Sequence, residues 1–254
     1  AADGMPPVLL LVKIVIAVLC ARTAAMSFNR LADHKIDAAN PRTVDRALPS
    51  KQLGRGFVIA ATALSLGGFF ATCYWINELA LSLSPLAAAL FMGYSLSKRV
   101  TWLCHVILGM ALAFAPIGAW VAIRNDLELA PILLGLAVLF WTSGFDILYA
   151  CMDVDFDRKA GLFSVPAKLG IRGALKAAAA LHLVMISILF TLWWQSPQLG
   201  GIFLGAISIV LLLLVVEHRL VKPDQLGKVN QAFFSMNVII SCLLMTSLIL
   251  EGLL

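Results

Sequence analysis

Eight runs of about twenty mostly apolar residues follow one another along this chain, and they leave it one main solvent, lipid. They fall at residues 7–28, 54–77, 80–97, 100–123, 130–152, 173–194, 199–217 and 231–252. Each is long enough to cross a bilayer core as a helix, which takes about 20 residues. Pro85 and Pro116 lie inside runs, where a missing N–H favours a kink. The separators are short except for 29–53 and 153–172.

The basic residues fix a topology on these spans. With the eight alternating and 29–53 placed inside, 16 of the 19 Lys and Arg residues fall on inside loops or adjacent span ends. They are Arg30, Lys35, Arg42, Arg46, Lys51, Arg55, Lys98, Arg99, Arg158, Lys159, Lys168, Arg172, Lys176, Arg219, Lys222 and Lys228. Outside loops hold only Arg124, while Lys13 and Arg22 sit within the first span. This asymmetry obeys the positive-inside rule and puts the two long loops on the cytoplasmic face. The first residue then lies outside, and Ala1–Pro7 reads as a loop without the features of a signal peptide.

Composition agrees. Hydrophobic residues make up 61% of the chain and charged residues 13%, against about 25% charged in soluble domains. The net charge of +5 is therefore a topology signal, and no nucleic-acid partner is expected. Five scattered cysteines without a C-x-x-C pair support neither a disulfide framework nor a zinc site. The whole chain, 1–254, reads as a single transmembrane domain with no soluble domain attached.

Chemistry concentrates at two acidic segments. Asn29, Asp33 and Asp37 are spaced i, i+4, i+8, one face of a helix, and Arg22 lies seven residues earlier on nearly the same face. Asp146, Tyr149, Asp153 and Asp157 are spaced 3, 4 and 4 residues apart, again one face if the helix is continuous. A charge at mid-bilayer costs about 2.5–3.5 kcal/mol on insertion scales, so Asp146, at the end of an apolar run, needs a partner or a role.

The residue types suit one task. Mg²⁺ prefers oxygen ligands and is typically held by one or two carboxylates plus substrate phosphate oxygens. Two carboxylate stripes suit such ions around a diphosphate, with Arg22, Arg42, Arg46 and Lys98 on the remaining oxygens. Carboxylates in basic loops are often merely solvated, and Asp45, Asp155 and Asp224 are read that way. Two stripes at equivalent depth on the basic side are not so easily dismissed. His105 and His182 read as satisfied by neighbours or lining a cavity, and His34 as pointing off the stripe. Trp75, Trp102, Trp193 and Trp194 read as interface anchors.

On these residues the chain resembles the UbiA-type intramembrane aromatic prenyltransferases, in their 4-hydroxybenzoate polyprenyltransferase-like form. The stretch from Arg22 to Pro49, with Asn29-Arg30-Leu31-Ala32-Asp33-His34-Lys35-Ile36-Asp37 and Asn40-Pro41-Arg42-Thr43, is similar to their first motif. Asp146 to Asp157, followed by Gly161, Ser164 and Gly170, is similar to their second. Tyr94 with Lys98-Arg99 resembles a smaller feature between them. The resemblance covers essentially the whole chain. It implies an all-α bundle of nine helices around a central cavity with polar cap loops; eight spans are visible, and the family's first helix would precede residue 1.

The resemblance implies transfer of a prenyl chain from a prenyl diphosphate to a small aromatic acceptor within the lipid bilayer, with Mg²⁺ as cofactor. A 4-hydroxybenzoate-like acceptor on a route to ubiquinone is the expectation. Asn29, Asp33, Asp37, Asp153 and Asp157 are the metal ligands it implies. Arg22, Asn29, Arg42, Arg46, Tyr94 and Lys98 would bind diphosphate or acceptor. Asp33 and Asp153 would be catalytic, and Asp146 or Tyr149 would orient the acceptor. Arg30 replaces an Asp that many members carry, and Tyr149 stands where a strict D-x-x-x-D-x-x-x-D would place Asp, so the number of ions stays open. Two rivals remain: the same chemistry on a naphthoate, homogentisate, haem, chlorophyllide or glycerol phosphate acceptor, or a membrane transporter. A transporter spreads polar residues across the midplane, whereas here they cluster at one face.

Overall fold

A computed structural model describes residues 6–221 and 229–253, with side chains of 229–234 left aside. Lys222, Asp224, Lys228 and the segment 1–5 lie outside the described residues. The described chain is all helical: α1 (Val8–Ala39), α2 (Arg55–Ile76), α3 (Glu78–Ser97), α4 (Cys104–Arg124), α5 (Leu129–Ala150), a 3₁₀ turn (Cys151–Asp153), α6 (Val154–Lys159), α7 (Val165–Gln195), α8 (Gly201–Leu220) and α9 (Val229–Leu253). Eight of these are long and apolar enough to cross a membrane, in agreement with the eight runs. The chain is a multi-pass integral membrane protein.

Three boundaries depart from the sequence expectation, each for a local reason. The first helix does not stop at 28 but runs to Ala39. Nothing breaks it until Pro41, whose ring forces Asn40 out of the helical region, to φ −94 and ψ 119. The second acidic segment is not one continuous helix. α5 ends at Ala150, a 3₁₀ turn covers Cys151–Asp153, and α6 begins at Val154, so Asp146 and Tyr149, Asp153, and Asp157 lie on three successive segments. The sixth run starts early, at Val165. Ser164 caps it by accepting from Ala167 N–H, Pro166 fits the first turn, and Gly170 kinks it at φ +70, a conformation only glycine adopts freely.

The chain divides into two compact units: residues 1–100 with 114–127, and 101–113 with 128–254. α4 contributes its first half to the second unit and its second half to the first. In the first unit α1, α2 and α3 pack on one another. Phe69 and Phe91 meet edge to face with centroids 5.3 Å apart. Asn77 ends α2 and caps α3, accepting from Ala80 N–H while donating to the Val121 carbonyl.

In the second unit α5 packs along α7, and α7, α8 and α9 follow in series. Its core joins Met185 and Leu189 of α7 to Phe203, Ile207 and Val210 of α8 and Ile240 of α9. A smaller cluster of Ile147, Leu148, Cys151, Val165, Ala174 and Ala178 locks the end of α5 against the start of α7. α4 approaches α5 closely at Gly109. A Cβ there would lie 2.5 Å from both the Leu139 carbonyl oxygen and Ser143 Oγ.

Candidate active site

In the first unit the extension of α1 carries the expected stripe. Asp33 and Asp37 are both 3% exposed. A buried carboxylate needs charged or hydrogen-bonding partners, because loss of water around an ion costs several kcal/mol. Asp33 receives three. Lys98 Nζ lies 2.8 Å from Oδ2, Arg99 Nη2 lies 2.9 Å from Oδ1, and Asn29 Nδ2 donates to Oδ2 at 3.3 Å. The same Asn29 amide donates to Ser95 Oγ, tying α1 to α3. Arg99 also donates to the Ala32 carbonyl at 2.6 Å, which fixes its guanidinium beside the carboxylate.

Asp37 is held from the loop that follows. Thr43 Oγ donates to its backbone carbonyl, and Arg46 Nη1 donates to Oδ1 at 2.8 Å. Its other oxygen, Oδ2, is buried without a hydrogen bond, as is Arg30 Nη1, 3.8 Å away. Thus four cations, Arg30, Arg46, Lys98 and Arg99, surround two carboxylates on one helix face.

Of the residues expected here, the structure brings together Asn29, Asp33, Asp37, Arg46 and Lys98. Arg22 is exposed on α1. Arg42 is exposed, its backbone N–H donating to Asn40 Oδ1. Tyr94 is half-buried on α3, with its carbonyl accepting from Ser97 Oγ. Arg99 and Ser95 are additions to the expected set.

In the second unit the acidic residues divide among three short segments. Asp146 and Tyr149 sit on the last turns of α5, Asp153 closes the 3₁₀ turn, and Asp157 lies on α6. Asp157 Oδ2 accepts from Ser164 Oγ at 2.9 Å, so the residue that caps α7 also steadies α6. Tyr149 packs against the cluster around Ile147 and Val165. Asp146 has the partner that its depth demands. His105 Nδ1 lies 2.6 Å from Asp146 Oδ2, and His105 is 2% exposed.

The donor chemistry fits Mg²⁺. Asn29, Asp33 and Asp37 are hard oxygen donors, and Asp37 Oδ2 is a buried oxygen with no hydrogen bond. Among the described residues no group of three or more His, Cys, Asp and Glu is placed to share one ion. Mg²⁺ is typically held by one or two carboxylates, with substrate phosphates completing its shell.

Comparison with known proteins points the same way. The sequence profile of the UbiA prenyltransferase family matches residues 1–239. The 4-hydroxybenzoate octaprenyltransferase of Aeromonas hydrophila is 32% identical over 239 residues, covering 94% of this chain and 83% of the relative. The 4-hydroxybenzoate solanesyltransferase of Synechocystis sp. is 30% identical, covering 98% and 85%. The apo structure of a UbiA homologue from Aeropyrum pernix superposes with a TM-score of 0.87 at 30% identity, over 98% of this chain and 91% of the other. A UbiA homologue from Archaeoglobus fulgidus bound to DMAPP and Mg²⁺ shares the fold, with a TM-score of 0.73 at 17% identity over 96% and 88%.

Proposed function

The chain belongs to the UbiA prenyltransferase family, and on that premise we propose that it moves a prenyl chain from a prenyl diphosphate to a 4-hydroxybenzoate-like acceptor in ubiquinone biosynthesis. The observation that carries the reading is the pair of buried carboxylates, Asp33 and Asp37, ringed by Lys98, Arg99, Arg46 and Arg30. Such a cluster binds a diphosphate and the cation that accompanies it, and has no purpose in an inert membrane helix.

Asn29, Asp33 and Asp37 are residues that would hold Mg²⁺, and Asp153 and Asp157 of the second acidic segment are proposed as metal ligands likewise. When bound, the ion neutralises the diphosphate and makes it a better leaving group. Lys98, Arg46 and Arg99 bind diphosphate oxygens, the arginines by their planar forks. Arg22, Arg42 and Tyr94 belong to the wider substrate-binding set. Asp146 accepts the acceptor's proton, and Tyr149 orients its ring. The apolar spans hold the prenyl tail and keep water from the allylic centre as its bond to oxygen breaks. The 4-hydroxybenzoate relatives, each about 30% identical, support the acceptor named. The excess of Lys and Arg on the loops around both motifs supports a cytoplasmic active site.

Purified protein incubated with a labelled prenyl diphosphate, 4-hydroxybenzoate and Mg²⁺ tests the reading. Metal-dependent prenylated product supports it. Mg²⁺-dependent diphosphate binding with no product overturns the acceptor and keeps the chemistry. Loss of both in folded protein overturns the prenyltransferase reading.

A further inference from the structure

Asp146 is aimed by a histidine that the reaction does not otherwise use. His105 lies on the first turn of α4 and Asp146 near the end of α5, 41 residues apart in sequence. The close approach of α4 at Gly109, one turn after His105, brings the two side chains to 2.6 Å. The imidazole is held at both nitrogens. The Val165 backbone N–H points at Nε2, 3.2 Å away. An N–H directed at Nε2 requires a lone pair there. The ring proton therefore sits on Nδ1, and Nδ1–H donates to Asp146 Oδ2. Ser143 Oγ donates to the His105 carbonyl and so fastens the backbone of that turn to α5.

The anchor is itself part of the second motif. Val165 is the first residue of α7, set by Ser164, whose hydroxyl donates to Asp157 and accepts from Ala167 N–H. A chain of hydrogen-bonded groups thus runs from Asp157 through Ser164 and the α7 N-terminus to His105 and Asp146. At its end the Asp146 side chain keeps 27% of its exposure, and Oδ1 takes no hydrogen bond among the described residues.

We infer that His105 is a positioning residue for the acceptor half of the reaction, which locks Asp146 in one rotamer and leaves Oδ1 as the single proton acceptor offered to the aromatic substrate. The inference rests on the proposed prenyl transfer. In that step the C–O bond of the prenyl diphosphate breaks and its electron pair leaves with diphosphate. A π pair of the acceptor ring forms the new C–C bond. The proton at the attacked ring carbon passes to Asp146 Oδ1, and its C–H pair restores the aromatic ring. The prediction is geometric. Any side chain that donates to Oδ2 and accepts from Val165 N–H serves, and one that does neither does not.

The test uses the full chain in detergent, with prenyl diphosphate, aromatic acceptor and Mg²⁺. His105→Ala lowers kcat about 10- to 100-fold, less than the about 10²–10⁴-fold that a general base supplies because Asp146 itself remains, and leaves KM for the prenyl diphosphate unchanged. His105→Gln restores kcat to within about threefold of wild type, since its amide donates and accepts across the same gap. Val165→Pro removes the anchoring N–H at the first helical position, where proline is accommodated, together with part of a buried side chain, and lowers kcat several-fold. That variant keeps the test open should His105→Ala not fold. Wild-type kcat in both folded His105→Ala and Val165→Pro overturns the inference, as does a His105→Gln variant as impaired as His105→Ala. An inactive wild type overturns the proposed function instead.

Discussion

Arg46 reaches back nine residues from the loop after α1 to place Nη1 2.8 Å from Asp37 Oδ1, so the loop's fold and the carboxylate's charge are settled together. A hydrogen bond between charged groups contributes about 1.5–3 kcal/mol. Arg46→Ala is therefore expected to raise KM for the prenyl diphosphate about tenfold or more and to leave KM for the aromatic acceptor nearly unchanged. Steady-state kinetics with each substrate varied in turn checks this.

Asp33 holds three donors at once, from Lys98, Arg99 and Asn29. Asp33→Asn keeps the volume and removes the charge. Turnover is expected to fall about 100-fold or more, the scale of losing one organised electrostatic contact in an active site. Single-turnover measurements at saturating Mg²⁺ separate this loss from weaker metal binding.

Metal removal gives a third expectation. Chelation abolishes product formation, and Mn²⁺, which takes a similar octahedral oxygen shell, restores it. Ca²⁺, larger and more loosely coordinated, does not. Titration of product yield against each ion distinguishes the cases.

Gly109→Ala is the structural test. The added methyl would meet the Leu139 carbonyl oxygen and Ser143 Oγ, both at 2.5 Å, so α4 must move off α5. Overpacking of this kind costs about 1–3 kcal/mol. The expected outcome is a fall of about 2–10 °C in melting temperature, read from thermal unfolding in detergent.

The membrane architecture was legible in the sequence because lipid imposes one simple pattern, length and apolarity, on each element. Asn29, Asp33 and Asp37 were legible because helical spacing reports neighbours on a single face. The break at Cys151–Asp153 was not, since its residues carry no Gly or Pro and the turn is set by tertiary packing of Cys151 and Val154. The pairing of His105 with Asp146 crosses between two helices, and periodicity within either one is silent about it. Gly109, one turn from His105, was the available signal, a residue whose missing side chain permits close helix approach. Arg99 stands in the motif feature Lys98-Arg99, yet of the two only Lys98 is in the expected binding set, because helical spacing alone does not bring adjacent residues to one partner. The helix ends at Ser97, and both side chains then reach one carboxylate.

The length of α1 carries a consequence for how a greasy donor is handled. From Val8 to Asn29 is 21 residue steps, or about 32 Å of helix, against a hydrocarbon slab of about 30 Å. For a helix along the membrane normal with Val8 at one edge of the slab, Asn29 falls at the other edge, and Asp33 and Asp37 come about 6 and 12 Å beyond it. The prenyl diphosphate of the proposed reaction, with its tail in the leaflet, would present its headgroup near that edge. On the proposed function such a donor is met by lateral diffusion, in two dimensions, with no work spent lifting a long hydrocarbon out of its own phase.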